Sequence, residues 1–259
     1  MALTFDKFLL FGDSITEYSH QQPGFSLAAA LQNDYTRKLD VVKRGFSGYN
    51  TRWALPILKK VLEEESKGSG SIRIMYIFLG TNDASTTFQH VPIEEYKQNM
   101  TQMVQLAEER GIKVIIVGPG LHDQRMAVEH FKEKGTPLAQ PFSSSRATRE
   151  YADVAREVAL SHKLPFIDLW YLFQKDGGWS SEELLQKEPN LSEYLKDGIH
   201  YTPKAYEVFY DALIKLIKAH YPELHPDNLP RHCPYYGDID LDNYEDSILR
   251  GPKSLERTA

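Results

Sequence analysis

Short apolar runs alternate with helix-period segments along most of this 259-residue chain. The most pronounced runs are Phe8–Phe11, Ile72–Leu79 and Val114–Val117, and shorter strand candidates lie at Val41-Val42 and Pro165–Asp168. A continuous apolar run of this length suits a strand that is buried on both faces, as in a parallel sheet. The alternation therefore predicts a three-layer α/β/α fold, with a five-stranded parallel sheet and right-handed crossovers between the strands.

Apolar residues spaced by three to four positions mark the helices between these strands. The predicted helices span about residues 25–36, 51–62, 92–110 and 146–162, and a last helix opens at Pro203. Thr51 is predicted to cap the second of them, because a threonine side chain can accept from the first free N–H groups of a helix. Residues 121–145 and the stretch before Asp197 show no clear period, so we expect a mixed loop or insertion in the first and irregular structure in the second.

The chain divides at about residue 221 into a predicted α/β domain, residues 1–221, and a polar tail, residues 222–259. Acidic residues of the tail outnumber basic ones by eight to four; they are Glu223, Asp227, Asp238, Asp240, Asp242, Glu245, Asp246 and Glu256, against Arg231, Arg250, Lys253 and Arg257. The tail also carries apolar side chains such as Tyr235, Tyr236 and Leu241. Two interpretations stay open: a flexible acidic tail, or a segment that packs on the domain or on the second subunit of a homodimer.

Polar turns follow three of the predicted strands and precede the last helix. Gly12–Ser14 ends the first strand, Gly45–Gly48 the second and Gly80–Asp83 the third, while Asp197–His200 leads into the last helix. The carboxyl ends of parallel strands meet at one edge of the sheet, where ligands bind in open α/β folds. We therefore expect these four turns to converge there.

Each turn taken alone also has a purely structural interpretation. Ser14 and Asn82 are good helix caps, Gly48 fits a tight turn, and His200 fits an exposed surface position. Their joint occurrence in this order, each at the edge where ligands bind, favours an active site.

The motifs in these turns are GDSIT at 12–16, GFSG at 45–48, GTND at 80–83 and DGIH at 197–200. They resemble the four motif blocks of the SGNH, or GDSL, hydrolases, and the resemblance extends over most of residues 5–221. It implies a flavodoxin-like α/β/α fold with strand order 2-1-3-4-5. The longer stretches FLLFGDSIT, IFLGTNDA and DGIHYT are similar to the isoamyl acetate-hydrolysing esterase subgroup.

The same resemblance implies the roles of the candidate site residues. Ser14 is the implied nucleophile, His200 its general base and Asp197 the partner of that base; Gly48 and Asn82 donate to the oxyanion together with the backbone N–H of Ser14. Physical chemistry agrees with each role. A serine hydroxyl needs a base to take its proton, and histidine titrates near neutral pH. A carboxylate three residues earlier in one turn can hold the second imidazole nitrogen, and a glycine lets an oxyanion approach a backbone N–H closely.

Composition and missing motifs narrow the remaining classes of function. The net charge is −6 and no basic patch stands out, so we expect no nucleic-acid partner. The single cysteine, Cys233, excludes an intrachain disulfide and fits a reducing compartment. No apolar run has the length of a membrane span or a secretory signal, so we expect a cytoplasmic enzyme without a membrane partner. The chain also lacks zinc motifs, a P-loop and the G-x-S-x-G elbow, and we expect neither metal nor cofactor.

The pattern and the resemblance together predict a serine esterase that acts on small, fairly hydrophobic carboxylic esters such as isoamyl acetate. The preference for acetates depends on the subgroup resemblance. A thioesterase, a lysophospholipase or a carbohydrate acetylesterase would use the same site residues, and an inactive binding relative is the alternative from another class.

Overall fold

A computed structural model describes residues 4–20, 23–65, 67–68, 70–138, 140–187 and 189–249 of the chain. Its five strands pair in parallel throughout, in the order β2-β1-β3-β4-β5. They are β1 (Lys7–Gly12), β2 (Asp40–Gly45), β3 (Ile72–Phe78), β4 (Lys113–Gly118) and β5 (Phe166–Asp168). Both the predicted fold class and the strand order implied by the resemblance are confirmed.

Helices connect the strands and extend the chain beyond the sheet. Among the described residues they are α1 (Ser14–Glu17), α2 (Leu27–Asp34), α3 (Thr51–Glu65), α4 (Ile93–Glu108), α5 (Gln124–Glu133), α6 (Ser145–Ser161), α7 (Leu169–Asp176), α8 (Pro203–His220) and α9 (Tyr244–Leu249). A π-helix spans Glu183–Lys187, and two short 3₁₀ turns span Pro222–Leu224 and Tyr236–Asp238. In the part of the chain that the structure describes, every helix is too short or too polar to cross a membrane.

The sheet is covered on both faces, which explains the uninterrupted apolar runs. Successive side chains of β1 point to opposite faces, so Phe8 and Leu10 belong to one apolar cluster and Leu9 and Phe11 to the other. All four side chains are fully buried. The first cluster includes apolar residues of α2, α7 and α8, and the second includes those of α3, α4 and α6.

Two stretches that the sequence predicts to be irregular contain helices. Helix α5 lies inside the predicted insertion at 121–145, and α7 follows β5 directly. Ala127 is the one buried residue of α5, and the partly buried Phe131 packs with it against Phe142 and Ile199. Two apolar positions are too few to reveal a helical period in the sequence. Helix α7 has eight residues, about two turns, which is too short to show a period.

The start of α3 also differs from the prediction. Asn50, not Thr51, caps the helix: its Oδ1 accepts from the backbone N–H of Trp53 at 3.0 Å, and its backbone carbonyl accepts from Ala54 at 2.9 Å. Thr51 is the first helical residue, and both its backbone N–H and its hydroxyl donate to the carboxylate of Asp83. The Thr51 side chain therefore binds Asp83, which is distant in sequence, and does not cap the helix.

The first part of the tail packs against the domain. Leu224 is buried in the core cluster that contains α8, and its carbonyl accepts from the Tyr35 hydroxyl at 2.9 Å. Arg37 donates to the carbonyls of His232 and Pro234, both at 2.9 Å. Residues 250–259, which include four of the charged tail residues named above, lie outside the described residues.

Candidate active site

The candidate residues lie at the carboxyl edge of the sheet. Ser14 is the first residue of α1, which begins directly after β1. Gly48 lies in the turn after β2, and Asn82 lies in the turn after β3. His200 precedes α8, whose N-terminus lies at the same edge. Because β1 is paired in parallel with both β2 and β3, these turns leave the sheet side by side.

A row of hydrogen bonds joins the serine, the histidine and the aspartate. The Oγ atom of Ser14 lies 2.9 Å from Nε2 of His200, and Nδ1 of His200 lies 2.7 Å from Oδ2 of Asp197. Ser14 is only 4% exposed, and Asp13 before it caps α1 by accepting from the backbone N–H of Ile15 at 2.9 Å. The cap fixes the turn that presents the Ser14 hydroxyl to the imidazole.

Asp197 is held in its ionised form. Burial by itself would raise the pKa of Asp197, but hydrogen bonds from the His200 side chain and from the backbone N–H groups of His200 and Ile199, with the His200 charge, lower it to about 2. An ionised carboxylate only accepts, so Nδ1 of His200 carries a proton toward it. In the neutral imidazole Nε2 is then the free acceptor, and it faces the hydroxyl of Ser14.

The turn that carries Asp197 and His200 requires a glycine. Gly198 has a φ of +83°, a left-handed conformation that side chains disfavour. A Cβ atom at Gly198 would lie 2.3 Å from the carbonyl oxygen of Asp123 and 2.5 Å from the nitrogen of Ala127. The backbone N–H of Asp123 in turn donates to the Gly198 carbonyl at 3.0 Å. The start of α5 thus supports this turn.

Gly48 and Asn82 lie beside each other in the loops after β2 and β3. Gly48 has a φ of +77° and carries no side chain that would shield its N–H. Asn82 is 4% exposed, and its Nδ2 donates to the carbonyl of Tyr49 at 2.9 Å. This bond uses one of the two amide hydrogens, and the second is left for a ligand. The arrangement offers backbone and side-chain N–H donors of the kind that stabilise an oxyanion.

Two residues that the sequence analysis did not single out contact the site: Glu17, the last residue of α1, and Tyr18, which follows it. The carboxylate of Glu17 accepts from the backbone N–H of Ser47 at 2.6 Å. The Tyr18 hydroxyl lies 3.0 Å from the Ser47 hydroxyl, and its ring packs edge-on to the His200 ring at 5.2 Å. Their positions directly after the GDSIT motif were the only sequence signal available.

Two buried carboxyl groups flank the site. Burial raises the pKa of Asp13 to about 7, and the nearby charge of Asp83 adds to the effect. Burial likewise raises the pKa of Asp83 to about 7, although hydrogen bonds from Thr51 oppose it. In both groups burial therefore disfavours the charged carboxylate. Among the described residues, no three His, Cys, Asp or Glu side chains are grouped so as to hold a metal ion.

Comparison with known proteins identifies relatives along nearly the whole chain. The model of the family described as GDSL-like Lipase/Acylhydrolase matches residues 10–208. The chain is 40% identical over 246 residues to an isoamyl acetate-hydrolyzing esterase of Saccharomyces cerevisiae, an alignment that covers 92% of this chain and 96% of the yeast protein. It is 34% identical over 255 residues to the isoamyl acetate-hydrolyzing esterase 1 homolog of Homo sapiens, with 96% and 94% covered.

Solved structures share the fold at lower sequence identity. A lipase/acylhydrolase from Enterococcus faecalis superposes with a TM-score of 0.59 at 24% identity, covering 83% of this chain and 96% of the other. A catalytic mutant of an acetylxylan esterase from Geobacillus stearothermophilus gives a TM-score of 0.59 at 17% identity, covering 83% and 94%. At these identities the similarity concerns the fold. The family resemblance of the four motifs is confirmed by the family match, and the chain belongs to the GDSL-like lipase/acylhydrolase family and is a carboxylic ester hydrolase.

Proposed function

We propose that this protein hydrolyses small, apolar carboxylic esters of the acetate type, such as isoamyl acetate, by a serine mechanism. Ser14 is the nucleophile, His200 the general base and Asp197 the group that orients and stabilises the imidazole. The backbone N–H groups of Ser14 and Gly48 and the amide of Asn82 receive the oxyanion. The observation that carries the proposal is the row of hydrogen bonds at 2.9 Å and 2.7 Å from Ser14 through His200 to Asp197.

In the first half-reaction the Oγ atom of Ser14 attacks the ester carbonyl carbon while Nε2 of His200 takes the hydroxyl proton. The carbonyl π electrons move to the oxygen, and the three N–H donors stabilise the negative charge. Collapse of the tetrahedral intermediate breaks the bond to the alcohol oxygen, which receives the proton from His200. Water then attacks the carbonyl carbon of the acyl-serine while His200 takes a proton from it. The bond from the acyl carbon to Oγ of Ser14 breaks, His200 returns the proton to Oγ, and the carboxylic acid is released.

The substrate preference rests on similarity to named relatives. The yeast relative at 40% identity and the human relative at 34% are both named for isoamyl acetate hydrolysis, and each aligns along more than nine-tenths of this chain. Thioesters, lysophospholipids and acetylated carbohydrates could be attacked by the same groups. A panel that includes isoamyl acetate, p-nitrophenyl esters from acetate to long chains, an acyl thioester, a lysophospholipid and acetylated xylan separates these classes. We expect the highest kcat/KM on the short apolar acetates.

Ser14→Ala tests the mechanism. We expect turnover to fall by more than about 10⁴-fold, because the other groups cannot replace the nucleophile. Labelling by a fluorophosphonate should also be lost. Ser71→Ala is the matched control: Ser71 is exposed at the opposite end of the sheet, before β3, and this variant should hydrolyse and be labelled like the wild type.

Two outcomes would contradict the mechanism. One is Ser14→Ala that keeps a large share of wild-type turnover with an unchanged circular dichroism spectrum. The other is a wild-type protein that neither hydrolyses any ester of the panel nor is labelled at Ser14, which would favour the binding relative.

We also propose that the outer part of the tail contacts a second copy of the chain in a homodimer. Aromatic and aliphatic side chains support this proposal, since they are exposed within a short stretch. They are Tyr235, Tyr236, Leu241, Tyr244 and Leu249. Apolar side chains on a surface favour association, and twofold dimers are the commonest oligomers.

The cellular location that we propose is the cytoplasm. The single cysteine, Cys233, supports it, since chains of oxidising compartments commonly depend on disulfides. Fractionation of cells that express the tagged full-length chain tests this location, and recovery in a membrane or secreted fraction would contradict it.

A further inference from the structure

One glutamine bridges the loops that carry Gly48 and Asn82. Nε2 of Gln89 donates to the carbonyl of Gly48 at 2.7 Å and to Oδ1 of Asn82 at 3.2 Å. Gln89 lies seven residues beyond Asn82, in the segment between β3 and α4, and its side chain is half-buried. Both hydrogens of one amide group are therefore used on the two candidate oxyanion donors.

The partners of these two side-chain amides determine how each amide is oriented. A backbone carbonyl can only accept, so the Gln89 atom that faces the carbonyl of Gly48 must be the NH₂ group. For the same reason, the Asn82 atom that faces the Tyr49 carbonyl is Nδ2. Oδ1 of Asn82 is then turned to Gln89, and its NH₂ group is turned to Tyr49 and the substrate side.

Gln89 is itself anchored at both ends. Its Oε1 accepts from the hydroxyl of Thr87 at 3.2 Å, and that hydroxyl lies 3.0 Å from the hydroxyl of Ser85. Its backbone carbonyl accepts from Nδ2 of Asn50 at 2.7 Å, and Asn50 is fully buried at the start of α3. A side chain fixed in this way can hold its partners in place.

Each donor needs such a constraint for a different reason. Gly48 has a positive φ and no Cβ, so its backbone has more freedom than that of a residue with a side chain. Asn82 can turn its amide by half a rotation and present oxygen instead of nitrogen to the site. A carbonyl oxygen there would repel an oxyanion, and a displaced Gly48 would point its N–H elsewhere.

We propose that Gln89 is a positioning residue that fixes the oxyanion donors Gly48 and Asn82 before the substrate binds. This inference rests on the proposed serine mechanism and assigns a role to a residue outside the four motifs. Gln89 acts through its two partners, so its removal should lower kcat more than it changes KM. Interactions with developing charge matter in the transition state and little in the ground state.

Two substitutions test the role. Gln89→Glu keeps an acceptor for Thr87 but removes both donated hydrogen bonds, and Gln89→Met keeps the length of the side chain without any polar atom at its end. For each we expect kcat to fall between about 10-fold and 10²-fold, less than the roughly 10²–10³-fold cost of removing a donor itself. KM should stay within about twofold of the wild-type value.

Gln140→Met is the matched control. The exposed side chain of Gln140 donates at 3.0 Å to the carbonyl of Thr86, in the same loop, without contact to either donor. If Gln89 only stabilised the loop, Gln89→Met and Gln140→Met would lower kcat by the same factor. We expect wild-type kinetics for Gln140→Met. Equal losses of kcat in Gln140→Met and Gln89→Met would overturn the inference.

A double-mutant cycle adds a readout that a purely structural role would not move. In an Asn82→Ala background, Gln89→Met should cost less in kcat than it does in the wild type, because one of its two partners is already gone. Additive losses, or a wild-type kcat in both Gln89 variants, would overturn the inference. Failure of the proposed function looks different: the wild-type enzyme would then show neither ester hydrolysis nor labelling of Ser14.

Discussion

His122, in the loop after β4, is a buried histidine whose ring nitrogens have no hydrogen-bond partner among the described residues. Burial lowers the pKa of His122 to about 4, although the charge of Asp197 opposes the effect. A histidine in the unfolded chain titrates near pH 6.5. Between about pH 6.5 and 4 the unfolded chain therefore binds a proton that the folded protein does not, so the free energy of unfolding falls as the pH falls.

His122→Phe should remove this contribution. A phenyl ring can keep the ring contact with Phe142, whose centroid lies 5.8 Å away, and it takes up no proton. In urea melts at pH 7 and 4.5, the loss of unfolding free energy on acidification should be smaller by roughly 2–3 kcal/mol in this variant, at about 1.4 kcal/mol for each pKa unit. His220→Gln, at the exposed end of α8, should keep the wild-type loss. An unchanged acid loss in His122→Phe contradicts the prediction.

At the scale of elements, α5 matters most among the parts that the sequence did not predict. Its start contacts the loop that carries Asp197 and His200, through the hydrogen bond from the backbone N–H of Asp123 to the carbonyl of Gly198. Asp123 also caps α5, accepting from the backbone N–H groups of Arg125 and Met126 at 3.1 Å. The predicted insertion is thus a support for the candidate active site.

Gly198→Ala tests this support. Its Cβ would collide with the backbone of Asp123 and Ala127, so the turn must shift and the imidazole of His200 with it. We expect kcat to fall at least about 10-fold, because a displacement of 1 Å can cost far more. Gly111→Ala is the control, since Gly111 has a similar φ of +71° but nothing within 4 Å of its Cβ. Each variant should lose about 1–2 kcal/mol of stability to the strained backbone, Gly198→Ala should lose more because of the collision, and only Gly198→Ala should lose turnover. Equal turnover in the two variants would refute the coupling.

At the scale of the whole molecule, the described part of the tail falls into two segments. Residues 222–234 contact the domain through Leu224 and through the hydrogen bonds from Tyr35 and Arg37. Beyond them the exposed aromatic residues begin, with Tyr235 at 55% and Tyr236 at 76% exposure. Stability and association are therefore expected to depend on different segments.

Two truncations separate these contributions. A chain that ends at Tyr221 should lose at least about 1.5–3 kcal/mol of stability, the value of one buried leucine side chain. A chain that ends at Pro234 should keep the stabilising contacts of residues 222–234, which the chain that ends at Tyr221 loses, and should have about half the mass of the full-length protein in light scattering. If the full-length chain is already a monomer, or if the chain ending at Pro234 keeps the dimer mass, the proposed dimer contact is wrong.

What the sequence by itself determined is local in origin. Apolar runs such as Phe8–Phe11 predict strands buried on both faces, because a strand that helices cover on both sides has no solvent-exposed face for polar side chains. The order of runs and helices predicts a parallel sheet, and a parallel sheet brings turns that are far apart in sequence to one edge. The motif turns of Ser14, Gly48, Asn82 and His200 can therefore be identified from the sequence alone.

What only the tertiary structure decided are contacts between residues that no local pattern connects. The bond from Gln89 to Gly48 spans 41 residues, and that from Thr51 to Asp83 spans 32. A side-chain hydrogen bond depends on where two backbones lie to within less than an ångström, and periodicity carries no such information. For the same reason α5 escaped prediction. Its short apolar face, Ala127 and Phe131, is covered by residues from other parts of the chain, and its start is held by the hydrogen bond to the turn at Gly198.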